Sequence, residues 1–121
     1  MFNSSVTVLI ADDDPDIRVM LRTALELDGY RVLEAGDGET AWELIAAHRP
    51  AVVVTNVQMP VIDGLELSAL VKANGSYDTN VIVFTAPMAI EKEAIEKGTR
   101  LPAADTLQAL LEEVRRLSAS R

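Results

Sequence analysis

The chain of 121 residues contains no cysteine, a single histidine and few aromatic residues. The absence of cysteine excludes disulfides, thiolate metal sites and cysteine nucleophiles, and it is compatible with a reducing cytoplasm. Basic residues are also scarce, because 11 Lys and Arg stand against 19 Asp and Glu and give a formal net charge of −8. Such an acidic surface does not attract nucleic acid or anionic membranes, and it suits a protein that binds cations or basic surfaces.

Long apolar runs are absent as well. No stretch approaches the ~20 residues of a membrane span, and residues 1–5 carry no charged segment of the kind that begins a signal peptide. A glycine-rich phosphate-binding loop is not found either. Hydrophobic residues nevertheless make up 49% of the chain, and its length fits one globular domain. We therefore predict a single domain over residues 1–121, located in the cytoplasm.

Short apolar runs alternate with amphipathic segments along the chain. Four runs rich in β-branched residues predict strands: Val6 to Ala11, Arg31 to Ala35, Val52 to Thr55 and Val81 to Thr85. Turn and capping residues together with helical spacing predict helices over 15–28, 37–47 and 64–73, a short polar helix near 89–97 and a final helix from 105. The third and fourth strands are continuously apolar, which favours strands buried on both faces of a parallel sheet. The alternation predicts an α/β fold with a doubly wound parallel sheet.

Polar residues follow several of the predicted strands. Asp12 and Asp13 come after the first strand, Asn56 after the third, and Thr85 ends the fourth. In a doubly wound sheet the carboxyl ends of the strands meet at one edge, where ligands bind. Clustered carboxylates repel one another unless a cation compensates, and hard oxygen ligands favour Mg²⁺. The plainer alternative is that these acids cap the following helix, which we expect of Asp14 alone.

With these residues in this order, the sequence resembles the receiver domains of bacterial response regulators. The resemblance is carried by three segments in the family's order: Val8 to Arg18, Val52 to Gly64 with its Met59-Pro60 and Asp63-Gly64 pairs, and Val81 to Ala86. It implies a flavodoxin-like fold with strand order 2-1-3-4-5 and a role in two-component phosphorelay signalling. It also implies functional positions: Asp12 and Asp13 match the Mg²⁺-binding acids, and Thr85 matches the switch hydroxyl.

Two positions depart from the family pattern. Asn56 stands where the resemblance places the phospho-accepting aspartate, and a neutral carboxamide is a poor nucleophile toward phosphorus. Leu101 of the Leu101-Pro102 pair stands where the family has a lysine, and leucine cannot neutralise a phosphoryl group. Arg100 is adjacent, but strand alternation should direct its side chain elsewhere. The segment between Thr85 and Leu101 is short, which predicts a shortened fifth strand near residues 99–101 and a weak or absent Mg²⁺ site.

These departures predict a degenerate receiver, or pseudo-receiver, that is not an enzyme and acts by phosphorylation-independent protein–protein interaction. A histidine kinase or an output protein is the expected kind of partner, a homodimer is left open, and neither nucleic acid nor a membrane is expected. Two alternatives remain: an ordinary receiver carrying an engineered aspartate-to-asparagine change at 56, and an unrelated flavodoxin-like binding protein or phosphohydrolase. Acceptance of a phosphoryl group by Asp13 or Asp63 also stays open.

Overall fold

The computed structural model describes residues 6–74, 78–84, 103–104 and 107–119. Strands and helices alternate through these ranges, which confirms the predicted α/β class. The elements are β1 (Thr7–Ala11), α1 (Pro15–Leu27), β2 (Arg31–Ala35), α2 (Gly38–His48), β3 (Val52–Thr55), α3 (Gly64–Ala73), β4 (Asn80–Phe84), β5 (Ala103–Ala104) and α4 (Leu107–Ala119). None of the helices in these ranges is long and apolar enough to cross a membrane.

The sheet has five parallel strands in the order β2-β1-β3-β4-β5, as predicted. In the described residues, β5 consists of Ala103 and Ala104, which pair with Val83 and Phe84. Residues 99–101, where a shortened fifth strand was predicted, lie outside the described ranges.

Burial on both faces holds the sheet between two layers of helices. In β1, Val8 and Ile10 pack in the cluster that contains Leu25 of α1 and Leu110 of α4. The alternate residues of β1 pack in a second cluster with residues of α2 and α3. The four residues of β3 are all buried as well. Successive residues of a strand point to opposite faces, so the continuous apolar runs are explained by two cores.

Capping residues set the helix bounds that the sequence predicted. The Asp14 side chain accepts a hydrogen bond from the Asp16 amide, and Pro15 follows at the first helical position of α1. Beyond the end of α1, Gly29 has a φ of 92°, the left-handed conformation expected of it. Asp63 and Glu66 form a reciprocal capping box at the start of α3, which spans its predicted range.

The final helix α4 packs beside α1 through the apolar cluster and two polar contacts. The buried hydroxyls of Tyr30 and Ser118 are 3.3 Å apart, and Arg115 Nη2 lies 3.2 Å from Asp28 Oδ2. This ion pair gives Arg115, near the C-terminal end of α4, a specific partner. The predicted helix start at residue 105 and the predicted helix near 89–97 lie outside the described residues.

A strained turn connects β3 to α3. The Ile62 amide donates to the carbonyl oxygen of Pro60 at 2.9 Å, and Val61 between them has a φ of 72°. These features define a γ-turn of the rare positive-φ kind. A β-branched residue is strongly disfavoured at positive φ, and the Val61 side chain is 72% exposed, so burial does not offset the strain.

Replacing Val61 with a residue that tolerates positive φ is expected to stabilise the fold. Val61→Asn should raise the free energy of unfolding by about 1 kcal/mol, the scale of left-handed strain for a residue with a Cβ. Urea unfolding followed by circular dichroism measures the change. Val61→Thr retains the β-branch and is the matched control, expected to be near neutral. Equal stability of the Asn and Thr variants would show that the turn carries no strain.

Candidate functional site

The candidate site lies at the carboxyl edge of the sheet, where β1 and β3 are neighbours. Ala11 stands opposite Thr55 in the parallel register, and the Asn56 amide donates to the Ala11 carbonyl oxygen at 2.9 Å. Asp12 and Asn56 are the next residues of the two strands. The structure therefore brings them side by side, as the sequence predicted for the ends of parallel strands.

Asp12 is nearly buried and is fixed through its main chain and its side chain. It is 5% exposed, and its amide donates to the Ala35 carbonyl oxygen at the end of β2 (3.1 Å). Its Oδ1 accepts a hydrogen bond from the Asp14 amide at 2.9 Å. The carboxyl group therefore has one defined orientation.

Burial raises the pKa of the Asp12 carboxyl above its usual value of 3.8. The hydrogen bond from the Asp14 amide opposes this shift, while the nearby carboxyls of Asp13 and Asp14 add to it. A group of this kind is stabilised in its charged form by a cation. The raised pKa thus reflects mainly the burial of Asp12, with a smaller contribution from the neighbouring acids.

The acids that follow Asp12 have different surroundings. Asp14 caps α1, as expected, and Asp13 is exposed beside it. Asp12 and Asp13 are oxygen ligands of the type that Mg²⁺ accepts, and Asn56 adds a neutral amide oxygen at the same edge. Within the described ranges, no group of three or more His, Cys, Asp and Glu side chains is arranged to hold a metal ion. The donor set fits a weakly held hard cation, with two carboxylates available.

The Asn56 side chain is engaged with the loop that follows it. Its Nδ2 donates to the Gln58 carbonyl oxygen at 3.2 Å. The neighbouring Thr55 hydroxyl is buried and donates to the Asn56 carbonyl oxygen at 2.9 Å. A carboxylate at position 56 could not donate the first of these bonds, since an ionised carboxylate only accepts.

Two glycines allow the loop between β3 and α3 to pack closely. A Cβ on Gly64 would lie 2.2 Å from the Asn56 carbonyl oxygen, and a Cβ on Gly38 would lie 1.9 Å from that of Ile62. The Gly64 amide also donates to the Val57 carbonyl oxygen at 2.7 Å. The first residues of α2 and α3 thus contact the loop main chain, an approach that only glycine permits.

Sequence reasoning overlooked the side chain of Arg18. Its Nη1 donates to the Asp12 carbonyl oxygen at 2.6 Å, and its Nε lies 3.2 Å from Glu34 Oε1. Helical side chains tilt toward the helix N-terminus, so a residue one turn into α1 can reach back to the strand ends. That spacing was the available signal. Of the other predicted site residues, Thr85, Arg100 and Leu101 lie outside the described residues, and their roles stay predictions.

A family model described as the response regulator receiver domain matches residues 8–115. The chain belongs to the response-regulator receiver family. Receiver domains are signalling modules that interact with partner proteins. Membership of this family excludes the alternative of an unrelated flavodoxin-like protein.

Individual relatives agree with the family assignment. The chain is 37% identical over 116 residues to the response regulator MprA of Mycolicibacterium vanbaalenii, covering 93% of this chain and 50% of that protein. It is 39% identical over 82 residues to the response regulator GtcR of Aneurinibacillus migulanus, covering 68% of this chain and 33% of that protein. The chain thus spans half or less of the length of these curated relatives.

Solved structures agree on the receiver fold. The signal receiver domain of the response regulator NarL from Mycobacterium tuberculosis superposes with a TM-score of 0.80 at 31% identity, covering 96% of this chain and 98% of that one. The chemotaxis protein CheY4 of Vibrio cholerae superposes with a TM-score of 0.78 at 28% identity, covering 93% and 98%. The similarity in both cases extends over nearly the whole receiver.

A methyl group at Gly64 is expected to disrupt the loop beside Asn56. Gly64→Ala should lower the free energy of unfolding by about 1–3 kcal/mol, because a main-chain oxygen must move to admit the Cβ. Urea unfolding gives the loss, and the Asn56 amide resonance should shift. Gly36→Ala is the comparison variant and should cost less, since its Cβ would stand 3.3 Å from a side-chain atom, Arg18 Nη1, whereas that of Gly64 would stand 2.2 Å from a main-chain oxygen. Equal losses in the two variants would contradict the close approach.

Neutralising Asp12 is expected to stabilise the receiver at neutral pH. Because its pKa is raised in the folded state, ionised Asp12 favours unfolding, and this penalty appears as pH rises from the usual value of 3.8 through the folded pKa. Asp12→Asn keeps an oxygen to accept the Asp14 amide. It should add about 0.5–2 kcal/mol at pH 7 and less below pH ~4.

Urea unfolding at several pH values tests this dependence. Asp13→Asn, a change at the exposed neighbouring acid, is the control and should give a smaller gain. A gain from Asp12→Asn that does not vary with pH would show that burial of the charge is not its origin.

Proposed function

We propose that this chain is a degenerate receiver that does not take a phosphoryl group at residue 56 and signals through protein–protein contacts. The observation that supports this proposal is the carboxamide of Asn56, which lies at the carboxyl end of β3 beside Asp12. The family resemblance assigns the acceptor aspartate to this position. Phosphoryl acceptance requires a carboxylate oxygen that attacks phosphorus and forms an acyl phosphate. The amide oxygen is neutral, and its conjugation with nitrogen leaves it a poor nucleophile.

The surroundings of Asn56 support the same proposal. Its Nδ2 is bonded to the Gln58 carbonyl oxygen, so the side chain has a structural role that an aspartate could not perform. Leu101, at the position that the family resemblance gives to lysine, would further deprive the site of positive charge. The receiver fold itself is present in the described residues, and receivers act through contacts with other proteins.

We propose a weak cation site at the acid pair. Asp12 and Asp13 would hold Mg²⁺ with two carboxylates, and the amide oxygen of Asn56 would have to turn from its present bond to join them. Bound there, Mg²⁺ would supply positive charge that offsets the acid pair. Affinity should be low, because Asn56 brings no charge to the site.

The proposed partner is a protein, in a cytoplasmic signalling pathway. The net charge of −8 supports a partner surface with basic residues and argues against nucleic acid and anionic lipid. A histidine kinase, an output protein and a second copy of this chain are the candidate occupants. The relatives named above are response regulators at least twice as long as their match to this chain, which supports a role within a larger assembly.

The second candidate is an ordinary receiver in which aspartate at 56 was replaced by asparagine. The observation that favours it is that Asp12, Asp13 and the closely packed loop are present together at this edge. A single substitution distinguishes the two. If Asn56 alone prevents phosphorylation, restoring the carboxylate restores it.

Labelling with a small phosphodonor tests the proposal. The wild-type chain, incubated with acetyl phosphate and Mg²⁺, is expected to acquire no acyl phosphate by intact mass or hydroxylamine-sensitive labelling. The Asn56→Asp variant should also stay unlabelled if the Leu101 departure disables the site, and labelling of that variant alone would favour the ordinary receiver.

The location of any label completes the test. Phosphoryl groups on wild-type Asp13 or Asp63, found by peptide mapping, would refute phosphorylation-independent signalling. Amide shifts that saturate with beryllofluoride and Mg²⁺ together at Asp12, Asp13 and Asn56 in the wild-type chain would also refute it. Asn56→Gln is the matched neutral control and should behave as the wild type.

A further inference from the structure

Arg18 links α1 to the carboxyl ends of two strands beside the acid pair. Its guanidinium uses two different nitrogens, Nη1 toward the Asp12 carbonyl oxygen (2.6 Å) and Nε toward Glu34 Oε1 (3.2 Å). Glu34 belongs to β2 and stands opposite Ile10 of β1. One side chain therefore bridges the helix, the β2 strand and the turn that carries the acids.

The contact with Arg18 completes the fixation of the Asp12 main chain. The Asp12 amide is bonded to the Ala35 carbonyl oxygen, and its carboxyl accepts from the Asp14 amide. Arg18 holds the remaining polar group of the residue, its carbonyl oxygen. The peptide that joins Asp12 to Asp13 contains this carbonyl, so its orientation sets the direction in which the chain presents Asp13.

The guanidinium is itself held in place. The side chains of Arg18 and Glu34 are 23% and 27% exposed, so most of their surface is covered. Arg22 Nη1 lies 2.5 Å from the other carboxylate oxygen of Glu34. A Cβ on Gly36 would lie 3.3 Å from Arg18 Nη1, so the absence of a side chain there leaves room for the guanidinium. The planar fork of arginine suits such two-sided contact better than a lysine ammonium.

We propose that Arg18, oriented by Glu34, is a positioning residue for the acid pair. It holds the Asp12–Asp13 peptide so that the two carboxylates present their oxygens to one divalent cation. The inference rests on the proposed function only in taking Asp12 and Asp13 as a cation site. It does not depend on the reactivity of residue 56.

A positioning role of Arg18 and a purely electrostatic role predict opposite effects of its substitution on Mg²⁺ binding. If Arg18 acted only through its positive charge, Arg18→Met would tighten Mg²⁺ binding by removing repulsion, and Arg18→Lys would leave it unchanged. If Arg18 positions the peptide, both variants weaken binding, because lysine keeps the charge but cannot bond Asp12 and Glu34 together. Residues that orient metal ligands typically change affinity about 10-fold or more.

A Mg²⁺ titration followed by amide NMR shifts at Asp12 and Asp13 makes this comparison. It uses the full chain with Asn56→Asp, because a third carboxylate raises the affinity into a measurable range. Arg18→Lys and Arg18→Met added to this chain should each raise the Mg²⁺ dissociation constant about 10-fold. Arg22→Lys is the matched control, since Arg22 also contacts Glu34 but not Asp12, and it should change the constant by less than about 2-fold.

Hydrogen exchange of the amides provides a second measurement without metal. The Asp14 amide, which is bonded to the Asp12 carboxyl, should exchange faster in the Arg18 variants and at the normal rate in the Arg22→Lys variant. Urea unfolding confirms that each variant is folded under the conditions used. Unchanged exchange, or an unchanged dissociation constant in Arg18→Lys, would overturn the proposal.

The two proposals fail in different experiments. If the Asn56→Asp chain shows no Mg²⁺ shifts at Asp12 and Asp13, no cation site exists for Arg18 to position and the inference is wrong. That outcome leaves the absence of phosphotransfer at Asn56 standing. Labelling of the unaltered chain by acetyl phosphate would instead refute the proposed function. The role of Arg18 would then still be decided by the Mg²⁺ titration.

Discussion

The parallel register between β1 and β3 is the constraint on which the rest of the structure depends. Ala11 stands opposite Thr55, so Asp12 and Asn56 leave the sheet side by side. The same register sends alternate residues of both strands into two separate cores. A shift of one residue would exchange the faces of a strand, and burial on both sides therefore fixes the register. The geometry of the site is thus set by apolar packing far more than by the groups that the site contains.

Because packing sets the geometry, the shape of the loop after β3 does not depend on a carboxylate at residue 56. The loop after β3 is held by main-chain bonds, among them Gly64 amide to Val57 carbonyl, and by close contact of Gly38 with the Ile62 main chain. None of these contacts requires a negative charge at residue 56. The Asn56 amide adds a bond to the loop, and it removes one source of repulsion among clustered acids. The fold therefore accommodates a neutral carboxamide at residue 56.

Local signals in the sequence predicted most of the elements, while contacts between distant segments escaped prediction. Asp63 with Glu66 marks the start of α3 because a capping box involves neighbouring residues only. The reach of Arg18 to Asp12 and Glu34 depends on how α1 lies over the strand ends, which periodicity does not encode. The acid pair was found because parallel strands expose their carboxyl ends at one edge, a rule that needs only strand order.

The carboxyl group of Asp12 lowers the stability of the fold when it is ionised. Burial raises the pKa of this group, so its charged form is unfavourable to the fold at neutral pH. The hydrogen bond that it accepts from the Asp14 amide could be accepted equally well by the oxygen of an asparagine. What the carboxylate adds over a neutral amide is its charge, and a cation would stabilise that charge. The proposed cation site at Asp12 and Asp13 would supply this compensation, and it does not depend on whether residue 56 accepts a phosphoryl group.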